Sequence, residues 1–408
     1  MTLSIIVLND YAWTNGGTSA VALHQAQLLV ESGFDVTVFA AVPAPEAERW
    51  KFPIVHSGQH DILGNPDRLE AAVQGLWNGK AAQQLGRLLD SKDSKRTVVH
   101  LHSWSKALSS SVVREVLRRN LPLVCTLHDY FAACPNGAFF NHQTGKTCEL
   151  TPLGLPCLAT HCDSRSYKHK LWRVARQAIQ INFGGLPGHI RHFIVPSRFA
   201  AEILRPHLSA DAQLHVLPSA ISRPDTEAKP PAARSGMAFV GRLSQEKGAL
   251  LYIEACKRLG LQPQLVGDGE QRALIERMAP DAAISGWLPQ CQVWEKLATL
   301  EALVFPSLCY ETQGLMPLEA AALGVASIVP RQCAAAEFVV HEQTGLHFDS
   351  GDAGSLAAAM QRMRTERGLA QRLGEAAAAA FAQSPLARPM RQIEQLKDIY
   401  TSALSVAL

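Results

Sequence analysis

Short apolar runs alternate with amphipathic segments along most of this chain. The first half contains the runs LSIIVLN, FDVTVFAAV, TVVHLHS, LPLVCTLHD and HFIVPS, and the segment SAVALHQAQLLVESG between the first two has helical spacing. Runs that are apolar throughout are typical of parallel strands buried on both faces of a sheet. The pattern therefore predicts an α/β fold built on a doubly wound parallel sheet.

The same pattern begins again in the second half. Residues 218–236, PSAISRPDTEAKPPAARSG, are rich in proline, alanine and serine and are predicted to form a linker. Beyond them the strand-like runs MAFVGRL, QPQLVGDG, EALVFPS and VASIVP alternate with helical segments such as GALLYIEACKRLG. The sequence therefore predicts two Rossmann-like domains, residues 1–217 and 237–387.

Composition narrows the class of protein. The chain has 408 residues, 47% of them hydrophobic, and a net charge of +3. Residues 1–200 carry 20 basic and 14 acidic side chains, against 19 and 22 in the remainder, so an anionic partner suits the first half. This modest excess favours a phosphate or lipid surface and argues against nucleic acid.

Cellular location is also constrained. No run approaches the roughly 18 apolar residues of a membrane-spanning helix, and MTLSIIVLNDY does not have the pattern of a signal peptide. Nine cysteines, several inside apolar runs, favour a reducing compartment over a disulfide framework. We therefore expect a cytoplasmic protein.

Charged residues follow two predicted strands of the second half. FVGRLSQEKG places Arg242 and Lys247 where ligands collect in such sheets, and their cationic groups suit a diphosphate. The alternative is a solvated basic loop. In FPSLCYETQGLMPLEAAALG, Glu311 and Glu319 stand eight positions apart on either side of Gly314. The alternative there is a helix-capping acid beside a surface acid.

Together these motifs resemble a known family. A strand ending in G-R-L-x-x-x-K-G, then LVGDG, then E-x7-E before an alanine-rich helix resembles the retaining glycosyltransferases of family four. The resemblance covers nearly the whole chain. It implies the GT-B architecture, in which two Rossmann-like domains face each other across a cleft.

The resemblance implies roles for residues of the second domain. Glu311 would contact hydroxyls of the donor sugar, and Glu319 would bind the nucleotide ribose, because carboxylates accept hydrogen bonds from hydroxyls. Arg242 and Lys247 would bind the diphosphate. Backbone N–H groups near Gly314 and Leu315 would face the leaving phosphate at the start of a helix.

In the first domain, the resemblance implies that His128 contacts the donor sugar and that the turn at Gly16 and Gly17 lies near the phosphate and the acceptor. The alternatives are a core histidine and an ordinary turn. His100 and His102, in VVHLHSW, are interpreted as core or supporting residues.

The implied activity is sugar transfer from a nucleotide-diphosphate sugar to a hydroxyl of a lipid-linked or glycan acceptor, with no metal or other cofactor required for catalysis. A nucleotide-sugar epimerase of the same fold and a non-catalytic nucleotide-sugar-binding protein are the alternatives. A nicotinamide dehydrogenase is disfavoured, because NDYAWTNGG follows the first strand in place of G-x-G-x-x-G.

Two further segments suggest binding sites in the first domain. Four of the nine cysteines lie within residues 134–162: Cys134, Cys148, Cys157 and Cys162. Their clustering indicates either the ligands of a structural Zn²⁺ or a group of buried thiols without metal. Residues 165–176 lie within residues 164–201, a stretch without acids, and form a basic amphipathic segment. That segment suits either an anionic membrane surface, on the inner face of the cell membrane, or solvent. Its cations are Arg165, Lys168, Lys170, Arg173 and Arg176.

The C-terminal segment, residues 388–408, has one apolar stripe. Pro389 interrupts the chain after the alanine-rich helix, and apolar residues then recur at close to helical spacing. Since the chain of the resembled family crosses back here, we predict that this helix packs on the first domain. The residues of the stripe are Ile393, Leu396, Ile399, Tyr400, Leu404 and Leu408.

Overall fold

A computed structural model describes residues 2–45, 50–221, 230 and 233–407. Residues 222–229 and 231–232 of the predicted linker lie outside the described residues. The strands are β1 Ser4–Tyr11, β2 Asp35–Val42, β3 Ile54–His56, β4 Thr97–Leu101, β5 Leu123–Thr126, β6 Phe140–Asn141, β7 Lys146–Thr147, β8 His192–Val195, β9 Gln213–Val216, β10 Met237–Val240, β11 Gln264–Val266, β12 Ala283–Ile284, β13 Ala302–Val304, β14 Ala326–Pro330 and β15 Gly345–Phe348.

Helices connect most of the strands. They are α1 Gly17–Glu31, α2 Arg68–Leu76, α3 Gly79–Asp90, α4 Ser111–Leu117, α5 Leu155–Ala159, α6 Tyr167–Ile179, α7 Arg198–Leu204, α8 Ala249–Leu259, α9 Arg272–Met278, α10 Gln290–Ala298, α11 Leu315–Ala322, α12 Ala353–Thr365, α13 Leu369–Gln383 and α14 Pro389–Ala407. A π-helical turn, Gln180–Gly184, continues α6. The short 3₁₀ turns are Arg205–His207, Gln245–Lys247, Ala334–Glu337 and Pro385–Ala387.

Two separate parallel sheets confirm the doubly wound α/β prediction. The first has the strand order β3-β2-β1-β4-β5-β8-β9, and the second has the order β12-β11-β10-β13-β14-β15. Neighbouring strands in both sheets are parallel. In each sheet the strand order reverses beside the first strand, β1 or β10, which is where a crevice opens at the carboxyl ends of the strands.

Each sheet is covered on both faces, which explains the uninterrupted apolar runs. Along β1, Ile6 and Leu8 belong to one core cluster, whereas Ile5 and Val7 belong to the cluster on the opposite face. The second sheet is sandwiched in the same way, with Phe239 on one face and Val240 on the other. Side chains that alternate between two buried faces are therefore mostly apolar.

The C-terminal helix α14 belongs to the core of the first domain. Its residues Ile393, Leu396, Ile399 and Tyr400 are buried together with residues of α1, β1 and β5. Leu404 is partly buried against the same cluster, and Leu408 lies outside the described residues. The described part of the apolar stripe therefore packs on the first domain, on the sheet face that includes Ile5. The chain passes from the second domain back to the first through the turn Pro385–Ala387.

No helix in the described ranges is both long and apolar enough to cross a bilayer.

Candidate functional site

The two domains meet where the motif residues lie. The Thr312 hydroxyl, in the loop after β13, donates to the backbone carbonyl of His128, just beyond β5, at 3.0 Å. A Cβ atom added to Gly17 would lie 3.4 Å from Cδ1 of Leu315. The glycine turn and histidine of the first domain therefore face the glycine-bearing turn of the second, across one crevice.

Lys247 and Glu311 form an ion pair in this crevice. The Lys247 Nζ lies 2.6 Å from Oε1 of Glu311, and the Ser307 hydroxyl donates to the same oxygen at 2.6 Å. Burial alone would lower the pKa of Lys247, but the charge and hydrogen bond of Glu311 raise it above its ordinary value. Lys247 is therefore held as a charged ammonium beside the carboxyl group of Glu311.

Gly248 allows Lys247 to occupy this place. The residue has a φ of 74°, and an added Cβ atom would collide with the carbonyl oxygen of Pro306. The 3₁₀ turn that carries Lys247 can therefore approach the loop of Glu311 only because residue 248 is glycine.

Arg242 extends into solvent near this pair. Its guanidinium contacts Oε1 of Glu246 at 3.0 Å, and 62% of its side chain is exposed. Burial alone would raise the pKa of Glu246, but Arg242 and a hydrogen bond from Ser244 lower it. Arg242 is thus a charged group with one ordered contact, able to turn toward a ligand.

Helix α11 begins in the same loop. Gly314 precedes it with a φ of 83°, and an added Cβ atom would lie 3.1 Å from that of Ala335. No side chain of the described residues caps the first turn of this helix. The backbone N–H groups of Leu315 and Met316, before Pro317, which has none, therefore form a terminus at which an anion is stabilised.

Glu319 lies one turn into α11 and is buried. Its Oε2 accepts hydrogen bonds from Nε2 of Gln290 at 2.6 Å and from Nε1 of Trp294 at 2.7 Å. Burial raises its pKa to about 7, although both hydrogen bonds lower it. Gln290 and Trp294 lie on α10, just after the exposed side chain of Trp287. The sequence reasoning named none of these three residues, of which Gln290 and Trp294 contact Glu319.

The histidines of the first domain divide into two groups. His100 is buried in β4 and contacts the hydroxyls of Tyr400 and Thr126, each at 2.7 Å, so it is a core residue. His128 is half-buried, and its Nε2 lies 3.0 Å from Nδ1 of His102. Gly16 opens α1 with a φ of 82° near the same edge.

Asp10 is a residue that the sequence reasoning missed. It lies near the end of β1, is buried, and accepts backbone hydrogen bonds from Lys106, Ala107 and Leu108 at 2.9 to 3.1 Å. Burial raises its pKa, while these three bonds lower it. Asp10 thereby fixes the loop after β4. A carboxylate directly after an apolar run was the available signal.

The four predicted zinc ligands line one small cavity: Cys134, Cys148, Cys157 and Cys162. The buried Lys170 Nζ lies 3.4 Å from the sulfur of Cys157 and 3.3 Å from that of Cys162. Within the described residues, no three His, Cys, Asp or Glu side chains converge as metal ligands. Lys170 is therefore the partner of two of these sulfurs, and the zinc site stays a prediction.

The prediction of a basic face on residues 165–176 is wrong for three of its five cations. Lys170 and Arg176 are buried, and Arg173 contacts the buried Asp163 at 2.7 Å. Arg176 lies over the rings of Phe131 and Trp172. These neighbours supply negative charge, sulfur atoms and aromatic faces, which compensate for burial of the cations. The exposed residues of α6 include Tyr167, Lys168 and Leu171.

Two family models match successive parts of the chain. The model described as "Glycosyltransferase Family 4" matches residues 15–223, and that described as "Glycosyl transferases group 1" matches residues 227–380. The first match covers the side with Gly16, Gly17 and His128. The second covers the side with Lys247, Glu311 and Glu319.

Curated relatives and solved structures agree with these matches. The chain is 31% identical over 386 residues to glycogen synthase of Mycobacterium tuberculosis, covering 89% of this chain and 86% of that protein. It is 32% identical to the lipopolysaccharide core biosynthesis glycosyltransferase LpsE of Rhizobium meliloti, covering 37% of this chain but only 44% of that protein. The structure of Anabaena HepE in complex with UDP and glucose has a TM-score of 0.70 at 14% identity, covering 98% of this chain and 100% of that one. These likenesses show the GT-B fold.

Proposed function

The chain belongs to glycosyltransferase family 4, and on that premise we propose that it moves a sugar from a nucleotide-diphosphate sugar to an acceptor hydroxyl with retention of anomeric configuration. The observation that carries the proposal is the Lys247–Glu311 pair beside the uncapped start of α11. The ion pair and the start of α11 both lie opposite Gly17 and His128 of the other domain. Cations, N–H donors and a carboxylate thus surround one crevice.

Departure of the diphosphate is the step that these groups would assist. Bond cleavage places negative charge on the leaving phosphate, and Lys247, Arg242 and the first N–H groups of α11 would stabilise it. Lys247 is charged and has a single carboxylate partner among the described residues, so a phosphate can join or replace Glu311 as its counter-ion. In this proposal the protein's own charges are sufficient at the phosphates, without a metal ion.

Glu311 and Glu319 would bind the sugar and the ribose. Ser307 and Lys247 fix one oxygen of Glu311, which leaves the carboxylate able to accept a further hydrogen bond from a sugar hydroxyl. Gln290 and Trp294 both occupy Oε2 of Glu319, so Oε1 can accept from ribose hydroxyls. Trp287, three residues before Gln290, would offer its exposed ring to the base.

We further propose a lipid-linked or glycan acceptor, used at the cytoplasmic face of a membrane. Nine of the fourteen exposed large apolar side chains lie within residues 63–77 and 155–183. Helices α2 and α6 pack side by side there, with Nε1 of Trp172 donating to the carbonyl of Ala72 at 3.2 Å. Leu69, Leu171 and Lys168 on their outer sides would contact lipid tails and anionic headgroups.

The transfer activity can be tested in two stages. Thermal stabilisation by individual nucleotide sugars identifies the donor, since a ligand that binds only the folded state raises the melting temperature. Transfer to lipid-linked and glycan acceptors is then measured, and the anomeric configuration of the product is read by NMR. Donor turnover without an acceptor would instead indicate an epimerase, and binding without turnover a non-catalytic protein.

Variants connect this activity to the site. We expect Lys247→Ala and Glu311→Ala each to lower kcat/KM about a hundredfold, equivalent to about 3 kcal/mol of lost transition-state stabilisation. Lys257→Ala and Glu254→Ala, on the exposed side of α8, are the matched controls and should retain activity. Full transfer by Lys247→Ala or Glu311→Ala would overturn the assignment.

A further inference from the structure

His102 and His128 form a hydrogen-bonded pair at the edge of the crevice. They follow the adjacent parallel strands β4 and β5, so both lie at the same edge of the sheet. Nδ1 of His102 lies 3.0 Å from Nε2 of His128, and the rings are nearly parallel, at 22°. His102 is buried, whereas His128 is half-buried.

The surroundings of His102 decide which nitrogen carries the shared proton. Its Nε2 is buried and has no hydrogen-bond partner in the described part of the chain. A neutral imidazole has one N–H donor and one acceptor nitrogen. Because orphaned buried N–H groups are rarer than under-satisfied acceptors, the proton belongs on Nδ1. His102 then donates to Nε2 of His128.

We propose that His102 is a positioning residue that holds His128 in the tautomer protonated at Nδ1. With its Nε2 occupied as an acceptor, neutral His128 must carry its own proton on Nδ1. No described residue bonds to that Nδ1, so it presents an N–H donor to a ligand in the crevice.

Both imidazoles are neutral at physiological pH, as this arrangement requires. Burial lowers the pKa of His128 to about 4, and burial together with the charges of His100 and His128 lowers that of His102 well below its ordinary value. Two protonated rings would place N–H groups against each other. The pair therefore shares one proton between two facing nitrogens.

The tautomer of His128 determines which wall of the crevice donates a hydrogen bond to a bound sugar and which wall accepts one. This consequence rests on the proposed transferase function. Glu311 accepts hydrogen bonds, while His128 donates one from the opposite wall. The Thr312 hydroxyl, bonded to the His128 carbonyl, links the two walls. A sugar with a hydroxyl between them can donate to Glu311 and accept from His128. The opposite tautomer would present a lone pair and repel that oxygen.

Nitrogen-15 NMR of the histidine side chains tests the tautomer without any activity measurement. The chain has 15 histidines, so the His128 signal is identified by its loss in His128→Asn. We expect the wild-type spectrum to show His128 protonated at Nδ1 and unprotonated at Nε2. Protonation at Nε2 would overturn the proposal, whatever the protein's activity.

Kinetics of His102 variants test the positioning role. His102→Phe removes the donor, and we expect kcat/KM for transfer to fall about tenfold, the effect of one hydrogen bond of about 1.4 kcal/mol. His102→Asn places an amide N–H near the position of Nδ1 and should restore most of the loss. His24→Phe, an exposed histidine on α1, controls for the substitution itself.

The melting temperature of each His102 variant is measured together with its kinetics, to show that the variant is folded. A folded His102→Phe variant with wild-type kcat/KM, or a His102→Asn variant no better than His102→Phe, would contradict the role. If His102→Phe does not fold, the wild-type NMR result still decides the tautomer. If transfer itself is absent, the NMR result tests this pair separately from the proposed function.

Discussion

At the scale of single residues, burial controls the protonation of the Glu319 carboxyl group. Burial raises its pKa from about 4.5 to about 7, and hydrogen bonds from Trp294 and Gln290 only partly offset the rise. The folded protein therefore holds a proton at Glu319 that the unfolded chain releases between these pH values. Folding stability must then fall as pH rises through this window.

We expect Glu319→Gln to remove this pH dependence. Relative to Glu319→Gln, the wild type should lose about 3 kcal/mol of unfolding free energy as the pH rises from 4.5 to 7. Chemical denaturation at several pH values measures it. Glu375→Gln, on α13 of the same domain, is the control. Parallel pH profiles for wild type and Glu319→Gln would contradict the argument.

At the scale of elements, one buried side chain, that of Lys170, connects helix α6 to residues 134–162, the segment that carries four cysteines. Lys170 extends from α6 to the sulfurs of Cys157 and Cys162. Burial lowers its pKa, but the two cysteines raise it above its ordinary value. Burial holds the pKa of the Cys162 thiol above its ordinary value, although the Lys170 ammonium lowers it toward the thiolate, the form that binds Zn²⁺.

Metal analysis tests the proposed zinc site. In protein purified without chelators we expect about one Zn²⁺ per chain, with the four cysteines drawn together as thiolates around it, four being the coordination number of structural zinc. Cys157→Ser and Cys162→Ser should each lose the metal, while Cys291→Ser, an exposed cysteine of the second domain, should keep it. If the wild type contains no metal, the zinc prediction is wrong and the four cysteines are thiols that pack near Lys170.

Helices α2 and α6 should bind membranes through apolar contacts more than through charge. We expect the wild type to sediment with vesicles of phosphatidylcholine and phosphatidylglycerol. The double variant Leu69→Ser and Leu171→Ser should bind about a hundredfold less, since two side chains of this size together contribute about 3 kcal/mol or more when fully desolvated. Val340→Ser, an exposed apolar site of the second domain, is the control. Unchanged sedimentation of the double variant would exclude this surface.

At the scale of the whole molecule, α14 joins the C-terminal end of the chain to the first domain. Its buried stripe lies on the sheet face that includes Ile5 and Val7, and the hydroxyl of Tyr400 contacts His100. The side chain of Gln392 also donates to the carbonyl of Pro218 at 2.9 Å, and the backbone N–H of Ile221 donates to the carbonyl of Leu386 at 3.2 Å. Ile221, the last described residue before residues 222–229, therefore lies beside the turn through which the chain returns, an arrangement suited to a hinge.

Removal of packing on α14 should destabilise the first domain. Leu396→Ala creates a cavity in the core and should lower the unfolding free energy by about 2 to 5 kcal/mol. Met390→Ala, half-exposed on the same helix, should have little effect. Truncation after Ala387 should lower the first domain's melting temperature more than the second's, as followed by calorimetry. A truncated chain that melted like the full chain would show that α14 is dispensable.

The sequence by itself determined the two sheets and the positions of the motif residues. Strands buried on both faces are mainly apolar, so β1, β4, β5, β10 and β13 could be read directly from the sequence. Charged residues directly after such strands lie at one edge of a parallel sheet. Lys247, Glu311 and His128 could therefore be assigned to a crevice before any side-chain contact was known.

Only the tertiary structure decided which neighbours these residues have. Helical spacing shows which residues of α6 share a face, but not which face is buried. Lys170 turns inward because the sulfur atoms of Cys157 and Cys162 receive it, and Arg176 because the ring of Phe131 does. The partners of Glu319 on α10 and of His128 beyond β4 are separated from them by 25 or more residues. Local periodicity carries no information about such contacts, because they form only when the strands and helices pack.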